Sequence, residues 1–259
     1  MQTLRLEFDD TSLEVNRYAS SGPLTCMLPG LGGGIRRFAQ LGQRLSDAGL
    51  QPVAINPRGA GASTGSLDNL RMGDLARDVA NVIERLGPPA FIVGNAFGNR
   101  VARCVANTRP ELVRALVLVC AGGEVPPEPD AAASLGEYFD ESLSEADRLA
   151  AAHRALFSPG NTVDASFIDP GRTVAAARAQ TAATRAESAD SWIAGGTAPM
   201  LVVQGADDRI APPENGHRLK ARWPDRVEVV DVPNAGHAVL NEQPDAVATA
   251  IQEFIARLR

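Results

Sequence analysis

The stretch Phe91-Ile92-Val93-Gly94-Asn95-Ala96-Phe97-Gly98-Asn99-Arg100 decides how this chain is read. Three apolar residues of strand type run into a glycine, a tight turn follows, and the pattern from Phe97 onward is helical. Glycines at 94 and 98 flank residue 96, so strand and helix can approach closely around a strained turn. That is the G-x-S-x-G spacing in which a serine is held out as a nucleophile. Here the central residue is alanine, and a methyl group cannot attack a carbonyl.

Outward from this turn, short apolar runs lie at 24–28, 51–55, 90–94, 115–120, 200–204 and 227–232, bounded by Gly, Pro or Asn. Such runs suit strands covered on both faces of a mostly parallel sheet. Helical patterns separate them at 35–48, 75–86, 97–107, 213–223 and 245–258. In the last, Val247, Ile251, Phe254, Ile255 and Leu258 share one face. Alternating strands and helices mean βαβ units. Residues 3–8 and 12–18 alternate polar and apolar around Asp9-Asp10, which predicts an antiparallel hairpin with one wet face. From 122 to 197 no good strand occurs, only Pro126-Pro127-Glu128-Pro129 and Ala-rich helical stretches. A helical cap over the C-terminal edge of the sheet is expected there, where ligands of open α/β sheets bind. The core would then be 1–121 and 198–259.

Composition narrows the function classes. The 259 residues carry 25 basic and 31 acidic side chains, a net charge of −6. An acidic chain gains no counterion release on nucleic acid and no attraction to an anionic membrane, so neither is the expected partner. Cys26, Cys104 and Cys120 show no CxxC spacing and read as buried, inert thiols. Met1 to Asp10 is charged and alternating, unlike a signal peptide, and no apolar run approaches the roughly 20 residues that span a bilayer. A cytoplasmic protein is expected. No His/Asp/Glu cluster has metal-ligand spacing, so neither metal nor other cofactor is implied.

Two further places carry chemistry. Gly205-Ala206-Asp207-Asp208 ends a strand with adjacent carboxylates, and Asn234-Ala235-Gly236-His237 places a histidine in a loop before the last helix. His153, in the cap, and His217, in a helix, read as solvated.

Taken together, elbow, acid loop and histidine loop in this order resemble the α/β-hydrolase fold over essentially the whole chain. The resemblance implies eight strands, mostly parallel, with helices on both faces and the cap after the sixth. It implies His237 as general base and Asp208 as the acid orienting it, since the family's G-x-x-D spacing selects 208; Asp207 is the substitute. The run Leu28-Pro29-Gly30-Leu31-Gly32-Gly33-Gly34 resembles the oxyanion loop, with Pro29 where histidine is common. By position, the amides of Leu31 and Phe97 would form the oxyanion hole. Ile35 in the third glycine position argues against a dinucleotide fingerprint. Asn56-Pro57-Arg58-Gly59 resembles the loop after the fourth strand, which usually begins with Asp. Gly30, Arg58 and Trp192 are candidates for lining the site, Trp192 equally a core residue at the cap hinge. Arg36 and Arg37 read as a solvated helix face.

Ala96 is the departure from the family pattern. Either a serine was replaced, or the chain natively lacks one. The resemblance implies heritage in hydrolysing a small ester, lactone or related carbonyl substrate. Ring-cleavage C–C hydrolases share the elbow, but they usually carry Trp after the histidine, where Ala238 stands. Without the serine, His237 with Asp208 could act as a general base, as in lyases, cyclases or cofactor-free oxygenases of this fold. A binding protein without turnover is the third class. Substrate identity and oligomeric state are not legible.

Overall fold

The computed structural model describes residues 1–169 and 171–258. Pro170, within the expected cap, and Arg259, at the end of the expected core, lie outside the described residues. Along the chain the elements are β1 (Gln2–Glu7), β2 (Thr11–Arg17), β3 (Leu24–Leu28), α1 (Ala39–Asp47), β4 (Gln51–Ile55), β5 (Thr64–Gly65), α2 (Met72–Leu86), β6 (Ala90–Asn95), α3 (Phe97–Thr108), β7 (Val113–Val119), α4 (Pro129–Phe139), α5 (Glu145–Leu156), α6 (Val174–Arg185), β8 (Met200–Gly205), α7 (Glu214–Arg222), β9 (Val227–Val232), α8 (Val239–Glu242) and α9 (Pro244–Arg257). A 3-10 turn at Ile35–Phe38 precedes α1, so the helical pattern at 35–48 is two elements rather than one.

This is an α/β fold with a mostly parallel sheet of nine strands. The eight expected strands are present. The ninth, β5, is two residues long and leaves no apolar run to read; it pairs antiparallel with β2, Thr11 opposite Gly65. The chain divides into two compact units, Met1–Leu118 with Pro170–Met200, and Val119–Asp169 with Leu201–Arg259. The helical stretch 122–197 is split between them, α6 in the first unit and α4 and α5 in the second.

In the first unit the strand order is β1-β2-β4-β3-β6-β7. β1 and β2 form the hairpin, from Gln2 opposite Arg17 to Glu7 opposite Ser12. Only β1 is wet: none of its residues is buried, whereas β2, with β1 on one side and β4 and β5 on the other, is largely buried. β3, β4 and β6 are buried along their whole length, and β3 pairs parallel with both β4 and β6. α2 buries Leu75, Val79, Val82 and Ile83 at helical spacing, each apolar side chain stabilising by about 1.5–3 kcal/mol.

In the second unit, β8 is fully buried and α9 buries Val247, Ile251, Phe254 and Ile255. Small alanines on α5 let it lie close to its surroundings, and Ala151, Ala152 and Ala155 join Tyr138, Phe157 and Phe167 in one cluster. Phe157 meets Phe167 edge-on, with ring centroids 4.9 Å apart. The three cysteines are buried and outside any disulfide, and burial pushes the Cys26 and Cys104 thiols up to about 12. Among the described residues no helix is long and apolar enough to cross a membrane.

Candidate active site

In the first unit β6 ends at Asn95, α3 starts at Phe97, and Ala96 alone makes the turn with φ 49° and ψ −112°. A residue with a β-carbon adopts that backbone at a cost of about 1–3 kcal/mol, sustained by its surroundings. The flanking glycines explain how. A β-carbon on Gly94 would lie 2.5 Å from Asn99 Cα, and one on Gly98 would lie 2.3 Å from the Leu28 carbonyl oxygen. Strand, turn and helix are therefore packed backbone to backbone, and the turn has no slack.

The loop after β3 runs beside this turn. A β-carbon on Gly30 would sit 3.5 Å from Ala96 Cβ. Gly32, Gly33 and Gly34 have φ of 87°, 93° and 109°, a left-handed run that glycine adopts without strain. Side chains hold it: Gly32 N–H donates to Gln180 Oε1 at 2.9 Å, and the Gly34 and Ile35 amides to Asn56 Oδ1 at 3.3 and 3.2 Å. Asn56 Nδ2 in turn donates to Glu14 Oε2 at 2.6 Å. Among the described residues nothing accepts from the amides of Leu31 or Phe97. Phe97 opens a 12-residue helix, where unpaired amides and the helix dipole favour negative charge.

The second unit contains a buried acid and a histidine. The loop after β8 turns Asp208 inward, where Oδ1 accepts from the Ile210 and Ala211 amides at 2.9 and 2.7 Å. Its Oδ2 lies 2.8 Å from His237 Nδ1, with the Asp208 side chain 0% exposed and that of His237 14% exposed. An Nδ1–H held by a carboxylate leaves Nε2 with its lone pair, the arrangement of a general base. Asp207 is exposed and instead accepts from Ser158 Oγ at 2.7 Å. Close approach fixes the two loops, because a β-carbon on Gly205 would lie 2.2 Å from the Gly236 carbonyl oxygen.

A model described as the alpha/beta hydrolase family matches residues 27–250. The chain belongs to the alpha/beta hydrolase family. It is 29% identical over 259 residues to a protein of Variovorax paradoxus provisionally named carbamate hydrolase RutD, covering 92% of this chain and 94% of that one. Among solved structures it is similar to an E-2-(acetamidomethylene)succinate hydrolase, at 25% identity and TM-score 0.77 over 98% of this chain and 99% of that one. It also shares the fold of a Mycobacterium tuberculosis protein provisionally named non-heme bromoperoxidase BpoC, at 24% identity and TM-score 0.79, covering 95% and 96% of the two chains.

Other sequence-predicted residues of this hydrolase-family chain have definite places. Arg58 is buried and tied by a two-pronged pair to Asp78, Nε to Oδ2 at 2.8 Å and Nη2 to Oδ1 at 2.7 Å, with Asp10 Oδ2 3.3 Å from Nη2. Its guanidinium is thus engaged by carboxylates of its own unit. Trp192 is buried, with the Arg100 and Arg103 guanidinium carbons 5.3 and 4.7 Å from its ring centroid. Arg36 is exposed and Arg37 half-buried. His153 Nε2 lies 2.8 Å from the Asn161 carbonyl oxygen, and the exposed His217 pairs with Asp231 at 2.9 Å.

Sequence reasoning missed three residues, Gln180 in the first unit and Cys120 and Glu242 in the second, that hold the candidate groups of their own units. Cys120 has φ 52°, donates its Sγ–H to the His237 carbonyl at 3.3 Å, and is pushed well above the usual thiol range by burial and by the Asp208 charge. Cys120, Asp208 and His237 each offer one ligand atom, all within 4.8 Å, the trio among the described residues that could hold a metal; His237 Nδ1 and Asp208 Oδ2 are hydrogen-bonded to each other. Its signal was position at the C-terminal end of a strand. Glu242 accepts from the Gly236 and Ser158 amides at 2.8 and 2.7 Å. Gln180 is a polar residue on the buried Ala176, Ala177, Ala183 stripe of α6, which was its legible sign.

Proposed function

We propose that this chain is a hydrolase-type enzyme with heritage in the hydrolysis of a small ester, lactone or related carbonyl compound. Ala96 stands at its nucleophile position, His237 and Asp208 are its base and orienting acid, and the Leu31 and Phe97 amides form its oxyanion hole. The observation that carries the reading is the Ala96 backbone: a strained turn between two glycines that tolerate no β-carbon, beside unengaged amides. Strain at such a turn serves presentation of a side chain to a reacting carbonyl. The naming of relatives as hydrolases supports it.

A second reading has its own observation. The Asp208–His237 hydrogen bond is intact although no serine is present to be deprotonated. In that reading neutral His237 takes a proton from water or from the substrate, and the amides stabilise the oxyanion or enolate.

Ala96→Ser tests the pair. The expected result is a burst of p-nitrophenol from p-nitrophenyl acetate and covalent labelling by a fluorophosphonate in the serine variant alone. If Ala96→Ser neither bursts nor takes the label, the serine-type reading is wrong and the His–Asp base stands by itself.

A further inference from the structure

Beside the turn, in the first unit, lies a cavity of about 30 Å³, room for about two water molecules. Its wall is apolar, from Leu28, Pro29, Phe97 and Val101 among others, and two polar side chains interrupt it, Asp78 and Gln180. These two differ in a telling way. Both Asp78 oxygens accept from Arg58. Gln180 is 0% exposed, its Oε1 is taken by Gly32 N–H, and its Nε2 is buried with no partner among the described residues.

A buried amide N–H without an acceptor is destabilising by about 1–3 kcal/mol, and buried polar groups are otherwise nearly always satisfied. The cost is understandable if the acceptor arrives with a ligand. We infer that this cavity seats the short acyl end of the substrate and that Gln180 Nε2–H donates to a neutral oxygen on it. The Asp78 carboxylate in the wall disfavours an anionic group there, and the apolar remainder favours a small alkyl carbonyl over a polyol. Gln180 thus does two things with one side chain: Oε1 holds the loop that carries the Leu31 amide, and Nε2 selects what lies against it. This deepens the function proposed above and rests on it.

The test uses the full chain with Ala96 in place, so no turnover is needed, and two probes, acetone and xenon. In 1H–15N spectra the Gln180 side-chain NH₂ signals, assigned through Gln180→Met, are expected to move downfield with acetone and to stay with xenon. Methyl signals of Leu28 and Val101 should respond to both. Gln180→Met should weaken acetone about fivefold, the worth of one neutral hydrogen bond, and leave xenon binding within twofold. Methyl shifts with acetone but a stationary Gln180 NH₂ signal would overturn the donor role, leaving Gln180 as a brace for Gly32. No methyl shift with either probe would overturn the cavity as a ligand seat. Failure here with successful labelling of Ala96→Ser sinks this inference alone; failed labelling with acetone binding intact sinks the hydrolytic reading instead.

Discussion

The turn at Ala96 and the loops carrying Asp208 and His237 are both held by backbone contact, yet they differ in what they hold. Around Ala96 the shape is complete and, in the function proposed, the reacting group is absent: two glycines with no room for a β-carbon fix a methyl in a strained conformation. Around His237 both shape and group are present, with the acid buried and three of its hydrogen bonds formed. Position and reactivity are therefore separable. The first is set by many close contacts between main-chain atoms, the second by one side chain. One substitution can remove the chemistry of an elbow without relaxing its geometry.

Breaking the acid–histidine half should have the largest effect. In the Ala96→Ser background, His237→Ala is expected to lower kcat on p-nitrophenyl acetate by about 10⁶ and Asp208→Asn by about 10⁴, since the proposed base is lost or held in the wrong tautomer. Asp207→Asn, at a side chain that accepts from Ser158 Oγ, should stay within about threefold. Equal losses for the two aspartates would erase the distinction drawn between them.

Support of the elbow half is tested next. Arg58→Met leaves Asp78 buried without its counter-charge, which should cost about 3–5 kcal/mol in urea unfolding. Asp78→Asn added to it should recover part of that loss, and no recovery would mean that Arg58 matters by packing alone. Gly98→Ala drives a β-carbon to 2.3 Å from the Leu28 carbonyl oxygen, so a loss of about 1–3 kcal/mol is expected. Gly73→Ala, with open space around it, should be neutral or slightly stabilising.

The smallest effect lies at the edge of the same half. Slight burial of Asp10 pushes its carboxyl up, but Arg58 and Arg77 outweigh this and hold it below the ordinary 3.8. A depressed carboxylate adds stability above its unfolded pKa, and the gain disappears as pH falls through the folded value. Asp10 is half-exposed and its pairs are screened. Asp10→Asn should thus cost under about 1 kcal/mol at pH 6 and nothing at pH 2, read from melting curves; a cost that persists at pH 2 would show a packing role.

Most of the fold was legible because its strands are fully buried and so written as plain apolar runs, β3, β4 and β6 above all. Gly94 and Gly98 marked the turn because no other residue fits there. β5 was invisible, as two residues carry no periodicity. Gln180 and Cys120 were not read as site residues because their roles depend on partners 148 and 117 positions away, Gly32 and His237. Local pattern shows that a glutamine lies on an apolar stripe; only the folded chain shows what its two ends do. Arg58 is the converse. Its place in a segment resembling the family's loop after the fourth strand made it a candidate for lining the site, and the structure puts it in a two-pronged pair with Asp78.

Glu242 has a consequence in time rather than in space. One carboxylate collects the amides of Gly236 and Ser158 and the side-chain amide of Asn161. A single fluctuation that withdraws this side chain strips three donors at once, from the turn before the histidine and from the segment after α5. Those amides should therefore exchange with deuterium as one cooperative opening, and its rate would time any release of the turn that precedes His237.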